Sequence, residues 1–330
     1  MRSIRVFVIS AILLIWNAAG AAQLRQIAIL DVPGHPGFDA MAFAGPNLVI
    51  AHAGAGTVDI FDPAKRRLIA QVKGMADPHG IAVDEQGGRV FVANSGDNTL
   101  AVIAIADWKV IDTVQLQYSP DALLFVPEFG TLYISNSHNS SLSALKRGAH
   151  NVQTVELNGG PEDMAFDPQR RLLFVSLQDA NQVIALDANL RLAKEFRVAA
   201  SQPTGVAVDA KTSHIFVAVR YAVLVLDADS GREIGRVPTA AGTDKLWFDD
   251  STRTLYAAAN GGVVNMIKQE SGKYYSEQEL NTSVRGHSVA FDSTRGLVYL
   301  PGGYEGRSKL VILKRIETAP QETSAKAALH

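Results

Sequence analysis

Seven positions that recur at a regular interval carry most of the side chains in this chain that could bind a ligand or a metal ion. Successive positions are 40, 42, 41, 42, 40 and 43 residues apart, and they hold Asp39, His79, Asp121, Glu162, Thr204, Asp244 and His287. Six of the seven are carboxylates or imidazoles. If the seven units close into a ring, the only interruption among these ionisable side chains is Thr204.

Carboxylate and imidazole are the usual metal ligands in a protein without thiolates, and this chain contains no cysteine. His79 and His287 on either side of Asp39 could bind a divalent transition metal, and the remaining carboxylates suit a harder ion such as calcium. A water molecule activated by such a metal could hydrolyse a lactone or an ester, with a carboxylate as base. The alternative is that these residues are simply polar because they enter a water-filled channel. The cofactor therefore stays unknown, with a divalent metal ion as the candidate.

The seven positions belong to seven copies of one sequence unit. Four clear copies begin at Pro78, Pro120, Pro161 and Pro203, and three weaker copies begin at Phe38, Thr243 and Gly286. A period of this length with several strands per unit is typical of a β-propeller. In such a fold the seven recurring positions, each the second residue of its unit, lie at the mouth of the central channel.

Alternation of apolar and polar residues predicts four strands in each unit. In the second copy the predicted strands are 80–84, 89–94, 99–105 and 110–116. The seventh copy has only three, at 287–292, 297–300 and 309–315, whereas residues 24–32 form a spare strand before the first copy. We therefore predict an all-β, seven-bladed propeller of four-stranded antiparallel blades, with blade 7 closed by the N-terminal strand.

A second group of candidate ligand-binding residues lies in loops on the same predicted face. Arg220 and Tyr221 come from unit 5, and Tyr304 and Arg307 come from the glycine-rich loop of unit 7. Arginine and tyrosine are frequent in binding sites, and glycine lets a loop approach a partner closely. The alternative is an ordinary exposed loop.

The second strand of several units carries a family resemblance. Phe91-Val92-Ala93-Asn94 and Tyr133-Ile134-Ser135-Asn136 resemble the Tyr-Val-Thr-Asn repeat of YVTN-type β-propellers. Later units depart from this pattern, and His52 replaces the asparagine in the first. The resemblance implies a secreted or periplasmic propeller from a group of binding proteins, surface proteins and accessory factors. Related propellers include metal-dependent lactonases and haem d1 domains, so fold alone does not select the function.

The first 22 residues have the order of a secretory signal peptide. Arg2 and Arg5 precede an apolar run from Val6 to Trp16, and small residues follow at 18–22. The apolar run is short for a membrane span, although an uncleaved anchor remains an alternative. We expect a signal peptide at 1–22, the propeller at 23–316 and a flexible C-terminal tail at 317–330, with the mature protein periplasmic or secreted.

Charge excludes some partners. The chain has 31 basic and 33 acidic residues, a net charge of -2, and loss of Arg2 and Arg5 leaves 29 against 33, or -4. Without a basic run, nucleic acid and anionic membrane are poor partners. We expect a monomer that binds a small molecule or a protein through its channel-mouth face. A metal-dependent hydrolase resembling a lactonase is the alternative, and a haem d1-type redox protein is third. The sequence leaves open whether the protein is an enzyme.

Overall fold

Seven four-stranded antiparallel sheets make up the computed structural model of this protein, which describes residues 22–317. Within blades 1 to 6, the four strands of each sheet follow one another in sequence order. The predicted all-β seven-bladed propeller is therefore confirmed.

The first three blades contain strands β2 to β13. Blade 1 consists of β2 (Met41–Ala44), β3 (Asn47–His52), β4 (Thr57–Asp62) and β5 (Arg67–Lys73). Blade 2 consists of β6 (Pro78–Asp84), β7 (Arg89–Asn94), β8 (Thr99–Ala104) and β9 (Val110–Gln115). Blade 3 consists of β10 (Leu123–Val126), β11 (Thr131–Asn136), β12 (Ser141–Lys146) and β13 (Val152–Glu156).

The next three blades contain strands β14 to β25. Blade 4 consists of β14 (Pro161–Asp167), β15 (Leu172–Leu177), β16 (Gln182–Leu186) and β17 (Leu192–Arg197). Blade 5 consists of β18 (Val206–Asp209), β19 (His214–Val219), β20 (Ala222–Asp227) and β21 (Glu233–Pro238). Blade 6 consists of β22 (Thr243–Asp249), β23 (Thr254–Ala259), β24 (Val263–Glu270) and β25 (Lys273–Asn281).

Blade 7 joins the two ends of the described chain. It consists of β26 (Ala290–Asp292), β27 (Leu297–Tyr304), β28 (Arg307–Glu317) and, at its outer edge, β1 (Ala22–Val32). Strand β1 pairs with β28 from Ala22 opposite Glu317 to Val32 opposite Ser308. The predicted closure by the N-terminal strand is consistent with this pairing, which covers the edge that β28 would otherwise expose.

The apolar core lies between the blades, where the two middle strands of each blade are buried on both faces. Every residue of β11 is buried, and so are five of the six in β7, whereas the outer strand β9 buries one residue of six. Aspartates at the ends of the innermost strands stabilise the next turn: Asp84 accepts from the amide of Gly87, and Asp292 accepts from that of Arg295. These contacts agree with the turn role that their recurrence predicts.

Several strand ends differ from the sequence-based prediction. Strand β26 is three residues long, and β27 and β28 run on to Tyr304 and Glu317, so the glycines of the blade 7 loop belong to a hairpin. Of the predicted signal peptide, only Ala22 lies within the described residues, and Glu317 is the last of them. Residues 22–317 contain no helix that is long and apolar enough to cross a membrane.

Candidate functional site

The seven predicted mouth positions lie at the start of, or just before, the innermost strand of each blade. In three blades this start is a β-bulge. The register of β6 shifts between Pro78 and Ile81, that of β14 between Pro161 and Met164, and that of β22 between Thr243 and Leu246. Each bulge contains one ionisable mouth residue, namely His79, Glu162 and Asp244. β-Bulges commonly redirect side chains beside functional sites. Here a bulge holds the mouth residue of every second blade, namely blades 2, 4 and 6.

Backbone contacts between neighbouring blades hold the mouth together. The Ala40 amide donates to the carbonyl of His79, and the Gly205 amide donates at 2.9 Å to that of Asp244. A Cβ added to Gly205 would lie 2.1 Å from the Asp244 carbonyl oxygen, so only glycine permits this approach. The mouth is therefore a preformed ring.

A cavity of about 250 Å³ occupies the channel inside this ring. Its wall includes Asp39, Asp121, Asp163, Lys245 and Trp247. Apolar side chains from the innermost strands complete the wall, so the charged groups face a confined space.

Asp39, His79 and Asp121 form the tightest group on the ring. Nδ1 of His79 lies 3.3 Å from Oδ2 of Asp39 and 3.3 Å from Oδ1 of Asp121. One ligand atom from each residue lies within 4.8 Å of the other two. The bond to Asp121 raises the pKa of His79, burial opposes it, and the charges of Asp39, Asp121 and Asp77 add to it, so that the pKa reaches about 9. A protonated His79 therefore pairs with the two carboxylates.

His287 pairs with Asp244 on the other side of Asp39. Nδ1 of His287 is 2.8 Å from Oδ2 of Asp244. Burial lowers the pKa of His287, but the Asp244 contact and the charge of Asp39 outweigh this and leave it raised. Of the three predicted metal ligands, the structure thus brings together Asp39 and His79, with Asp121 as their third partner, and places His287 in a separate pair.

Lys245 is a central charge of the channel, and the sequence prediction missed it. Burial lowers the pKa of Lys245, but the carboxylates of Asp163, Asp39, Asp244 and Asp121 outweigh burial and raise it, so the ammonium stays charged. Burial also raises the pKa of Asp163, which lines the same cavity. A tethered cation therefore already balances the carboxylates of the ring.

The sequence does contain a signal for Asp163 and Lys245, at the positions that directly follow the seven mouth residues. The positions that follow the mouth ring are Ala40, Gly80, Ala122, Asp163, Gly205, Lys245 and Ser288. Five of the seven are small. The two charged exceptions are the residues that the structure places in the channel.

Among the carboxyls at the seven mouth positions, Glu162 differs because it has no histidine partner within residues 22–317. Burial raises its pKa, the charges of Asp121 and Asp244 raise it further, and Lys245 lowers it, with a net value of about 7. A carboxyl that titrates near neutrality can both accept and donate a proton.

Two clefts flank the ring. The first, which we call the Tyr221 cleft, has a volume of about 520 Å³, and its wall includes Glu162, Asp244, Arg220 and Tyr221. The second, which we call the Tyr304 cleft, has a volume of about 700 Å³ and is lined by His287, Tyr304 and several glycines. Three of the four predicted loop residues therefore lie beside the ring.

Arg307 is the predicted site residue that lies apart from the others. It is exposed at the start of β28, and its charge helps to lower the pKa of Asp31, although Lys309 is the main cause. It lines neither cleft.

The two asparagines of the repeat are structural. Nδ2 of Asn94 donates to Oγ1 of Thr99, and Nδ2 of Asn136 donates to the hydroxyls of Ser141 and Ser143. Asparagine at the end of a strand predicts hydrogen bonds to backbone groups of the following turn. Asn94 and Asn136 instead bond hydroxyls across the hairpin, because their side chains face the neighbouring strand.

The ring can do two kinds of chemistry. It presents carboxylates and the protonated imidazole of His79, which can hydrogen-bond a polar ligand entering the channel. The Asp39, His79 and Asp121 group also has the donor types and spacing to hold a divalent cation, provided that His79 loses its proton.

One comparison with known families bears on this fold. A family model described as NHL repeat matches residues 75–103, which cover β6, β7 and most of β8. No curated protein matches the sequence. Seven four-stranded blades and a repeat match within one of them show that this chain is a β-propeller repeat protein.

Proposed function

We propose that this protein is a non-catalytic binding protein that takes a ligand at its channel-mouth face. The observation that carries the proposal is that the ionisable ring opens between two clefts of about 520 and 700 Å³. Both volumes are in the range of small-molecule sites. The exposed rings of Tyr221 and Tyr304 stand at these clefts and offer contact area at low entropic cost.

The charge balance of the ring favours binding over metal-dependent catalysis. Lys245 and the protonated His79 compensate the carboxylates from within the chain. A divalent cation would have to displace a proton from His79 and tolerate the Lys245 ammonium. A neutral polar ligand has neither cost.

Two variants test this proposal. Wild-type protein, Tyr221→Ala and Tyr304→Ala are screened by thermal shift against sugars, amino acids, nucleosides and carboxylic acids. We expect a ligand that stabilises the wild type and loses its effect in at least one variant. If every ligand that stabilises the wild type acts equally on both variants, the channel-mouth face is not the binding face.

Export and YVTN-type membership are part of the same proposal. The apolar run 6–16 behind two arginines, and the Asn94 and Asn136 repeats, support them. Fractionation of cells that express the full chain, with mass determination of the soluble product, tests export. A product that retains Arg2 and stays in the cytoplasm would contradict it.

A metal-dependent hydrolase is the second candidate function. The observation that favours it is the placement of ligand atoms of Asp39, His79 and Asp121 within 4.8 Å of one another. A bound divalent metal would supply an activated water, and Glu162, whose pKa is about 7, is suited to act as base. Metal content and lactone hydrolysis are measured for the wild type and His79→Ala. Stoichiometric metal and activity that are both lost in the variant would favour this candidate over the first.

A further inference from the structure

The wall of the Tyr221 cleft combines three amide side chains with one arginine, two carboxyls and one aromatic ring. Besides Tyr221, the wall includes the side chains of Gln178, Gln202, Asn260, Arg220 and Glu162. They come from blades 4, 5 and 6, so three successive units form one cleft. The ring of Tyr221 is 59% exposed, and the Arg220 guanidinium lies 5.6 Å from its centre.

Five polar side chains of this wall are free to meet a ligand. Within residues 22–317, no hydrogen bond or ion pair engages the side-chain amides of Gln178, Gln202 and Asn260. The same holds for the Arg220 guanidinium and the Glu162 carboxyl. Each amide offers two donors and one acceptor, and Glu162, with a pKa of about 7, can donate or accept. The cleft thus presents both donors and acceptors rather than one sign of charge.

Backbone hydrogen bonds fix the loops that carry these side chains. The backbone N–H of Gln178 donates to the carbonyl of Gly160, and the backbone N–H of Asn260 donates to the carbonyl of Gly242. The carbonyls of Arg220 and Tyr221 accept from the amides of Gly242 and Thr239 at 2.7 and 3.0 Å. These bonds tie the hairpin between β19 and β20 to the loop before β22. The backbone of the cleft is therefore preorganised, which lowers the entropic cost of binding.

We propose that the Tyr221 cleft binds a carbohydrate, with a sugar ring against Tyr221 and its hydroxyls on the amides and Glu162. A pyranose has an apolar C–H face and a rim of hydroxyls that both donate and accept, which matches an exposed aromatic face beside free amides. A phosphate or carboxylate ligand would meet the carboxyls of Glu162 and Asp244 and only one arginine. A purely apolar ligand would leave the amides unpaired.

The Tyr304 cleft is a poorer match to a sugar, because its wall is formed largely by glycines, prolines and Phe38 and contains no amide side chain. Tyr275 provides a control tyrosine away from both clefts. It lies on the outer strand β25 and is 38% exposed, whereas Tyr221 is 59% exposed.

This inference rests on the proposed binding function and is tested with defined sugars. Maltose, cellobiose, lactose and chitobiose are titrated into the full-length protein by calorimetry, with saturation-transfer NMR for weak binding. We expect at least one to bind, and Tyr221→Ala and Gln178→Ala each to weaken it about tenfold. Tyr275→Ala should bind as the wild type does. Circular dichroism establishes that each variant is folded.

Two outcomes overturn the carbohydrate assignment. One is that none of the four sugars binds the wild type. The other is that Tyr275→Ala weakens binding as much as Tyr221→Ala. If no sugar binds but another ligand class does, and Tyr221→Ala or Tyr304→Ala abolishes that binding, the carbohydrate assignment fails and the proposed function stands. If no ligand of any class depends on either tyrosine, both fail.

Discussion

Nδ1 of His52 lies 2.7 Å from Oδ2 of Asp59, and both side chains are completely buried. Nε2 of the same histidine lies 2.8 Å from the carbonyl oxygen of His35, on the segment that links β1 to blade 1. It also lies 3.2 Å from the hydroxyl of Ser308 in β28. His52 therefore joins blade 1, blade 7 and the connecting segment where the ring closes.

The repeat explains this arrangement. His52 and Asp59 occupy the positions that Asn136 and Ser143 occupy in blade 3, and Asn136 makes the equivalent bond there. Blade 1 has replaced a neutral pair by an ionisable one. The longer imidazole reaches a third element, which asparagine in blade 3 does not.

We expect His52→Ala to lower the free energy of unfolding by about 3 kcal/mol. The substitution leaves Oδ2 of the buried Asp59 without a partner, while Thr57 and Gln71 still donate to Oδ1. His52→Asn restores the residue of the repeat and should cost less. Urea unfolding measures both. Asp31→Asn, which weakens the exposed ion pair with Lys309, is the control and should have a much smaller effect. A His52→Ala variant as stable as the control would show that the pair does not hold the closure.

Closure by β1 makes a second prediction about stability. Leu24 is 3% exposed and packs into the core of blade 7, whereas Ile29 on the same strand is 41% exposed. Leu24→Ala should therefore lower the free energy of unfolding by about 2–5 kcal/mol. Ile29→Ala should have a much smaller effect. Equal losses in the two variants, measured by urea unfolding, would mean that β1 does not pack through Leu24.

The sequence predicted the architecture well because the signal is repeated. Seven copies report the same strands, and the three-stranded seventh copy with a spare strand before the first predicts the closure. The channel was harder to predict. Lys245 and Asp163 do not stand out locally, and their significance depends on several blades meeting at one axis. The pairing of His287 with Asp244 rather than with Asp39 and His79 depends on bulges and side-chain geometry, which the repeat period does not contain.

The raised pKa of His79 predicts a loss of stability in alkaline solution. Its folded pKa of about 9 lies above its ordinary value, so the stabilisation is complete below pH ~6.5 and is lost as the pH rises through 9. A pKa difference of one unit between the folded and unfolded states corresponds to about 1.4 kcal/mol of stability. Screening by solvent in the channel makes the actual stabilisation smaller. Unfolding of the wild type between pH 6 and 9.5 should show the fall, and His79→Gln should lack it. His150→Gln, on an exposed loop, should keep the wild-type profile. If His79→Gln keeps the same fall, another group causes it.

Lys245 should suppress cation binding by the ring. In Lys245→Met the carboxylates of Asp39, Asp121, Asp163 and Asp244 lose their shared cation, and we expect a loss of about 2 kcal/mol, between the values for exposed and buried pairs. Calcium should restore much of this loss in the variant and act less on the wild type. Lys211→Met, which breaks an exposed pair with Asp250, is the control for a lost lysine. An equal response to calcium in all three proteins would contradict the role of Lys245.

The carboxyl of Glu162 makes the opposite test, because its variant should be more stable than the wild type. Burial and the charges of Asp121 and Asp244 raise its pKa from 4.5 to about 7 in the folded protein. The folded state therefore holds a proton that the unfolded state has lost between these values, so stability falls as the pH rises from 4.5 to 7. Glu162→Gln removes this penalty and should gain about 1–2 kcal/mol at pH 8 after allowance for solvent screening, with no gain at pH 4. Glu128→Gln, at an exposed turn, should show no such pH-dependent gain. If Glu162→Gln is no more stable than the wild type at pH 8, the ring accommodates an ionised Glu162 at no energetic cost. That result would remove the basis for a role of Glu162 as a base near neutrality.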